Sequence, residues 1–222
     1  MGSSYEIDIA LSPDTVADLK NSGFALYAFK AVKSAVAGGA PLVWFSTTSI
    51  LTKTQVTWEE QYQAYISTSQ IVANGQVNAS TSCDVNLGQV ASVDANGNMV
   101  AKSGGTASAI SIMNNSSSRW TTGISQVAGG NPNPMCAIPL FGNNLDVVVP
   151  IEKVLLMFAS NTVNTGTVIY KAYSPGLLID LTASQTRAVS FDIDDGWDAA
   201  GGTWAQPVSA NDNLVPLLIT SM

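Results

Sequence analysis

Apolar and polar residues alternate in short runs from residue 42 onward, and turns rich in glycine, proline, asparagine and aspartate separate the runs. Alternation with a period of two predicts strands that bury one face. Many short strands at this spacing are typical of an antiparallel sandwich or barrel, so the predicted fold class is mainly β. The predicted strands are residues 42–45, 90–93, 99–100, 109–113, 147–149, 154–158, 168–173, 177–181, 188–193 and 214–220.

The N-terminal region predicts one short helix. Ser12 is a favourable N-cap, Pro13 suits the first helical position, and Asp14 lies at the positive end of the helix dipole. Leu19 contributes to an apolar face, and Gly23 can end the helix in a left-handed conformation.

Local signals are ambiguous in two places. Residues 24–36 fit either a strand or a helix, because their apolar positions satisfy both periods. Thr57 and Glu60 have the spacing of a capping box, which predicts a helix through Tyr62 and Tyr65.

A hairpin is predicted around Asp94 and Gly97, between two short apolar runs. The Asn96–Gly97 pair favours a primed two-residue turn, in which both central residues have positive φ.

A faint internal repeat suggests two related β units that share one core. A shift of 108 positions aligns Tyr62 with Tyr170 and gives seven identities in 27 positions. Units of this size are small for independent sandwiches, which is why a shared core is expected. The predicted units are residues 1–126 and 135–222, joined by residues 129–134, and the alternative is one continuous domain of residues 1–222.

Composition excludes several classes of protein. The chain is 46% hydrophobic and only 11% charged, with a net charge of −7 and nine basic residues. Nucleic-acid binding needs clustered lysine and arginine, so no nucleic-acid partner is expected. The apolar runs are too short for a transmembrane helix, and no signal peptide is visible at the N-terminus. The neutral polar surface, rich in Ser, Thr and Asn, is typical of exported β proteins and suggests extracellular action.

Histidine is absent, which removes Ser-His-Asp and Cys-His catalysis. A carboxylate-only glycoside hydrolase stays open, since such enzymes need only two acidic residues. The candidate carboxylates are Glu59 with Glu60, Asp146 with Glu152, and the acidic loop at 192–198. Most of these residues suit a solvated surface equally well, so an enzyme is the less favoured interpretation.

The acidic loop could hold a hard cation. Asp192, Asp194, Asp195 and Asp198 offer four carboxylates within seven residues around Gly196, and oxygen ligands of this kind bind calcium. The spacing does not match a calcium loop, so an acidic strand end and turn is the alternative. The expected cofactor is therefore none, with calcium as the alternative.

Three tryptophans lie in polar or glycine-rich segments: Trp120, Trp197 and Trp204. Flat aromatic faces in such segments can stack on a sugar or anchor at a lipid head-group layer. The alternative is that these rings fold back over the sheet edges.

Cys83 and Cys136 permit one disulfide. Both residues lie in alternating apolar runs, which favours two buried thiols over a bridge.

The leading functional hypothesis is a non-enzymatic, lectin-like recognition protein that contacts a glycan or a lipid head group through its loop tryptophans. Two alternatives come from other classes. A pore-forming toxin would rearrange the alternating segment 45–56, and a structural or coat subunit would assemble as a homo-oligomer.

Overall fold

The computed structural model describes residues 2–222, of which strands make up 53% and helices 6%, and this confirms the mainly β prediction. The elements are α1 Pro13–Asn21, α2 Val215–Leu218, β1 Ser4–Ala10, β2 Ala25–Ser34, β3 Ala40–Pro41, β4 Phe45–Thr47, β5 Lys53–Ser67, β6 Thr81–Val85, β7 Gln89–Val93, β8 Met99–Ser103, β9 Ile110–Asn114, β10 Trp120–Ala128, β11 Asn131–Pro134, β12 Cys136–Leu140, β13 Leu145–Ala159, β14 Gly176–Asp180, β15 Thr186–Asp192, β16 Gly196–Asp198, β17 Ala205–Val208 and β18 Ile219–Ser221.

Two curled sheets pack face to face as half-barrels. The first sheet has the order β16-β15-β1-β5-β10-β12-β3, with β6 also on β5 and β11 on β10. The second has the order β17-β14-β13-β9-β7-β8, with β2 along β13, and with β4 and β18 beside β2. Most pairs are antiparallel, while β1–β15, β7–β9 and β18–β2 are parallel. The largest apolar core lies between the sheets and takes residues from both.

In each sheet, the longest strand has two successive neighbours along one of its sides. On one side of β5, strand β1 pairs with residues 53–59 and β6 with residues 62–66. On one side of β13, strand β9 pairs with residues 145–148 and β14 with residues 153–157. We call the region where β5 and β13 each change neighbour the fork.

The N-terminal helix forms as predicted. The side chain of Ser12 accepts a hydrogen bond from the backbone N–H of Thr15 at 3.0 Å, and Gly23 has φ of +68°. The hydroxyl of Thr15 donates to Asp192 at 2.9 Å, which fixes α1 against the end of β15.

The predicted helix after Thr57 is wrong, because this segment is part of β5. Val56 and Trp58 are buried while Thr57 and Glu59 are exposed, which is the period of a strand. Pairing with β1 and β10 supplies long-range hydrogen bonds that outweigh the local capping signal. The ambiguous segment 24–36 is likewise a strand, β2.

Three other predicted strands are wrong in whole or in part. Of residues 42–45, only Phe45 lies in a strand, and Leu42 makes an isolated bridge. Residues 168–173 make only isolated bridges, at Val168 and Lys171. Residues 214–220 form the short helix α2 followed by β18. Pro216 has no N–H to donate to a ladder, and it suits the first turn of a helix.

The hairpin at Asp94 is confirmed, but its turn is not primed. Gly97 has φ of +80°, and Asn96 is not among the residues with positive φ. The carboxylate of Asp94 accepts bonds from the backbone N–H groups of Asn96 and Asn98. These bonds stabilise a longer loop in which one left-handed residue is enough.

Both proposed units supply strands to both sheets, so the two halves contribute to a common core. Residues 129–134 are the turn and second strand of the β10–β11 hairpin. Tyr62 lies in β5, whereas its aligned residue Tyr170 lies in an irregular segment. The duplication itself stays a prediction.

Neither helix within residues 2–222 has the length and apolar character required to span a bilayer.

Candidate functional site

A groove of about 470 Å³ lies where β5 ends and β10 begins, and one of the predicted tryptophans lines it. Ligand sites in proteins have volumes of about 300–1,000 Å³. We call this cavity the Trp120 groove. Its lining consists of Gly38, Ser67, Thr68, Ser69, Gln70, Ile71, Val72, Arg119, Trp120, Thr121, Pro139 and Tyr170.

Trp120 begins β10 and is held at the groove by its own turn. Its indole N–H donates to the hydroxyl of Ser116 at 3.3 Å, and the ring packs beside Gly97. The ring is half-buried. Because the indole nitrogen already has a partner inside the chain, the carbon face of the ring is what remains for a ligand.

Buried Asn114 organises the turn before Trp120. Its amide donates to the carbonyls of Ser118 and Phe141 at 2.8 and 3.0 Å, and its oxygen accepts the hydroxyl of Ser116 at 2.7 Å. This network fixes the position of Arg119 and Trp120 before any ligand arrives. A binding site with preorganised residues loses less conformational entropy on association.

The opposite wall of the groove is formed by the end of β5 and the loop that follows it. Ser67 donates to the carbonyl of Asn78 at 2.6 Å, and Thr121 donates to the carbonyl of Ser69 at 2.7 Å. The exposed side chains of Thr68 and Gln70 complete a polar wall beside the aromatic one. The β5–β10 pairing brings these two walls together.

The other two predicted tryptophans lie elsewhere. Trp197 is stacked on Phe158, with ring centroids 5.4 Å apart and planes 13° apart, and it also contacts Phe191. Trp204 packs against Arg187, whose guanidinium carbon is 4.7 Å from the ring centroid. Both rings are half-buried, and neither lines the Trp120 groove. The structure therefore does not bring the three tryptophans into one site.

Carboxylates of the acidic loop accept hydrogen bonds from the loop's own backbone. Asp192 accepts the backbone N–H groups of Asp194 and Asp195 and the hydroxyl of Thr15, and these bonds lower the pKa of its carboxyl group. Asp198 instead accepts the N–H of Ala200. Among residues 2–222, no group of three or more His, Cys, Asp or Glu side chains converges to hold a metal ion. Calcium binding by Asp192, Asp194, Asp195 and Asp198 stays a prediction.

A buried ion pair lies at the fork, and the sequence analysis did not predict it. The ammonium of Lys30 is 2.6 Å from Glu152, and its side chain is fully buried while that of Glu152 is 12% exposed. Lys30 also lies over the rings of Trp58, Trp44 and Tyr5, at 4.5, 5.6 and 6.0 Å. A cation over aromatic faces is stabilised by the ring quadrupole. Burial lowers the pKa of Lys30, and the nearby carboxylates oppose that shift.

A bulge and a second carboxylate complete this cluster. The register between β13 and β2 shifts between Ile151 and Val154, so Glu152 lies in a bulge, a feature that redirects side chains. Trp58 donates its indole N–H to Glu152 at 3.2 Å, and Tyr5 donates its hydroxyl to Glu60 at 3.2 Å. Burial and the two carboxylates raise the pKa of Tyr5 to about 12. The fork cluster is thus Lys30, Glu152, Glu60, Tyr5, Tyr62, Trp58 and Trp44.

Two of the three predicted carboxylate sets for hydrolysis are not brought together. Adjacent Glu59 and Glu60 point to opposite faces of a strand. Asp146 and Glu152 are six residues apart on β13, roughly 20 Å at strand spacing, whereas paired catalytic carboxylates lie within about 10 Å. Asp146 is fully buried against Ser34, and burial raises its pKa.

Both cysteines are free thiols, with Cys136 buried and Cys83 half-buried. The predicted disulfide alternative is wrong, because β6 and β12, which carry these residues, are not neighbours in the first sheet.

No protein-family model matches the chain, and neither a curated protein nor a solved structure does.

Proposed function

We propose that the protein is a non-enzymatic recognition protein that binds a glycan in the Trp120 groove. The observation that carries the proposal is a half-buried indole ring, fixed by its own turn, beside a wall of hydroxyl and amide groups. Sugars present apolar C–H faces and a rim of hydroxyl groups, so they suit an aromatic platform next to polar side chains.

The lining favours a glycan over a lipid head group. A lipid-binding surface would present apolar side chains outward, and in the groove only Val72 is a large exposed hydrophobic residue. The groove instead offers the exposed side chains of Thr68 and Gln70, which can donate to and accept from sugar hydroxyls. The proposal does not use Trp197, Trp204 or the acidic loop, because none of them lines the Trp120 groove.

Replacing Trp120 with alanine is expected to weaken glycan binding about 30-fold, which corresponds to about 2 kcal/mol for an aromatic residue central to an interface. The Trp120→Phe variant keeps a flat ring and should retain most of the affinity. Glycan-array binding followed by calorimetry on the best glycan measures both effects.

Trp204→Ala is the matched control, since it removes another half-buried tryptophan that lies outside the groove. It should leave glycan affinity unchanged within about two-fold. Equal affinity of wild type and Trp120→Ala for every bound glycan would place the site elsewhere. Binding to phosphatidylcholine vesicles with no glycan bound would favour the lipid alternative.

A further inference from the structure

The Trp120 groove carries an unusual charge for this chain. Its only charged lining residue is Arg119, and no lining residue among residues 2–222 is acidic. The whole chain, in contrast, has sixteen acidic and nine basic residues. A positive groove on an acidic protein selects for a negatively charged ligand, because the rest of the surface repels one.

Arg119 has no carboxylate partner within the described chain. The ion pairs of residues 2–222 involve Lys30, Lys53 and Lys153. The Arg119 side chain is exposed, and its guanidinium carbon lies 4.7 Å from the centroid of the Phe141 ring. Stacking on an aromatic face restrains the guanidinium plane while its N–H edges stay available.

The other arginine shows the contrasting arrangement. Arg187 stacks on Trp204 at the same distance of 4.7 Å, and its Nε donates to the backbone carbonyl of Asp180 at 3.1 Å. That guanidinium is used within the fold. Arg119, next to Trp120 in sequence and in the same groove, is the one placed to meet a ligand.

We infer that the ligand is an anionic sugar, whose ring stacks on Trp120 and whose carboxylate or sulfate pairs with Arg119. This inference rests on the proposed glycan-binding function and specifies its ligand class. A planar guanidinium can bind an oxyanion through two parallel hydrogen bonds, which gives direction as well as charge. The hydroxyl groups of the opposite wall then contact the uncharged part of the sugar.

The test uses ligand pairs that differ in charge. Oligogalacturonate and its methyl ester form the carboxylate pair, and dextran sulfate and dextran form the sulfate pair. The full-length protein is expected to bind the acidic member of at least one pair more than ten-fold tighter at low salt. The preference should shrink as salt is raised from about 20 to 500 mM, because an exposed ion pair is screened.

Variants separate this inference from the proposed function. Arg119→Gln should reduce the preference to less than two-fold while keeping residual binding of the uncharged glycan, and Arg119→Lys should recover part of the preference. Trp120→Ala should weaken binding of both members. If the wild type binds both members equally, or if Arg119→Gln keeps the preference, the ligand is not selected for its charge by Arg119. That result contradicts the anionic ligand and leaves the proposed glycan-binding function in place. A wild type that binds neither these probes nor any glycan on an array overturns the proposed function.

Discussion

Replacing Glu152 with glutamine is expected to lower the free energy of unfolding by about 3–5 kcal/mol, the usual cost of removing one partner from a buried ion pair. The cost arises because Lys30 is fully buried and loses the carboxylate with which it forms an ion pair at 2.6 Å. Glutamine has the same shape and keeps an oxygen that can accept the indole N–H of Trp58. The expected loss therefore reports charge rather than packing. Urea unfolding followed by tryptophan fluorescence measures it.

The double variant Lys30→Met with Glu152→Gln is the matched control. It removes both charges and keeps the length of both side chains, so it should unfold within about 1 kcal/mol of the wild type. A single variant as stable as the double variant would show that Glu152 does not neutralise Lys30.

The loss of unfolding free energy in Glu152→Gln, which we call its defect, should depend on pH, and this dependence gives a second check. Burial lowers the pKa of Lys30, and Glu152 opposes that shift, so the variant should have the lower pKa. Between this lowered pKa and the ordinary value, the unfolded chain binds more protons than the folded one, and stability rises with pH. The defect of the single variant should therefore shrink as the pH rises through its lowered pKa. The double variant, which has no lysine at this position, should show no such change.

Local sequence patterns predicted an element correctly where the local signal and the tertiary contacts favour the same structure. The cap at Ser12 and the glycine at position 23 define α1 from residues that are adjacent in the chain. Alternation predicted β7, β8, β9, β13, β14 and β15, because one face of each sheet is buried in the common core. The helix prediction after Thr57 was wrong because a local capping signal competed with pairing to β1 and β10. These partner strands are distant in sequence, so a short stretch of residues does not reveal them.

The candidate site was predicted only in part, for the same physical reason. Trp120 could be selected because an aromatic residue in a polar segment is unusual. Its groove partners at residues 67–72 are some fifty positions away and arrive through the pairing of β5 with β10. Trp197 resembles an open loop residue in sequence, yet the β15–β16 hairpin places it opposite Phe191.

The fork cluster was missed although one clue was present. Lys30 interrupts the apolar run 25–32 of β2, and a lysine within such a buried run needs a buried partner. The partner, Glu152, is 122 positions later in the chain. Its orientation depends on a bulge in β13 that alternation does not predict. A buried polar group can be suspected from sequence, but its partner is defined by topology.

Replacing Gly123 with alanine is expected to lower the free energy of unfolding by about 3 kcal/mol, near the upper end of the cost of overpacking. A Cβ at this position would lie 2.1 Å from the backbone carbonyl oxygen of Cys136 and 2.9 Å from the hydroxyl oxygen of Tyr65. Gly123 does not have positive φ, so the requirement is for space rather than for an unusual backbone conformation. Thermal unfolding should show a decrease in Tm of roughly 6–12 °C.

Tyr65→Phe distinguishes the two collisions. Tyr65 crosses Gly123 and donates its hydroxyl to the Cys136 carbonyl at 2.6 Å, so phenylalanine should cost about 1 kcal/mol through the lost hydrogen bond. Because the closer clash of the new Cβ is with backbone, which shifts less readily than a side chain, Gly123→Ala should cost nearly as much in the Tyr65→Phe background. A cost below about 0.5 kcal/mol in either background would mean that β10 and β12 separate freely at this point, contrary to the close approach of the two strands at Gly123.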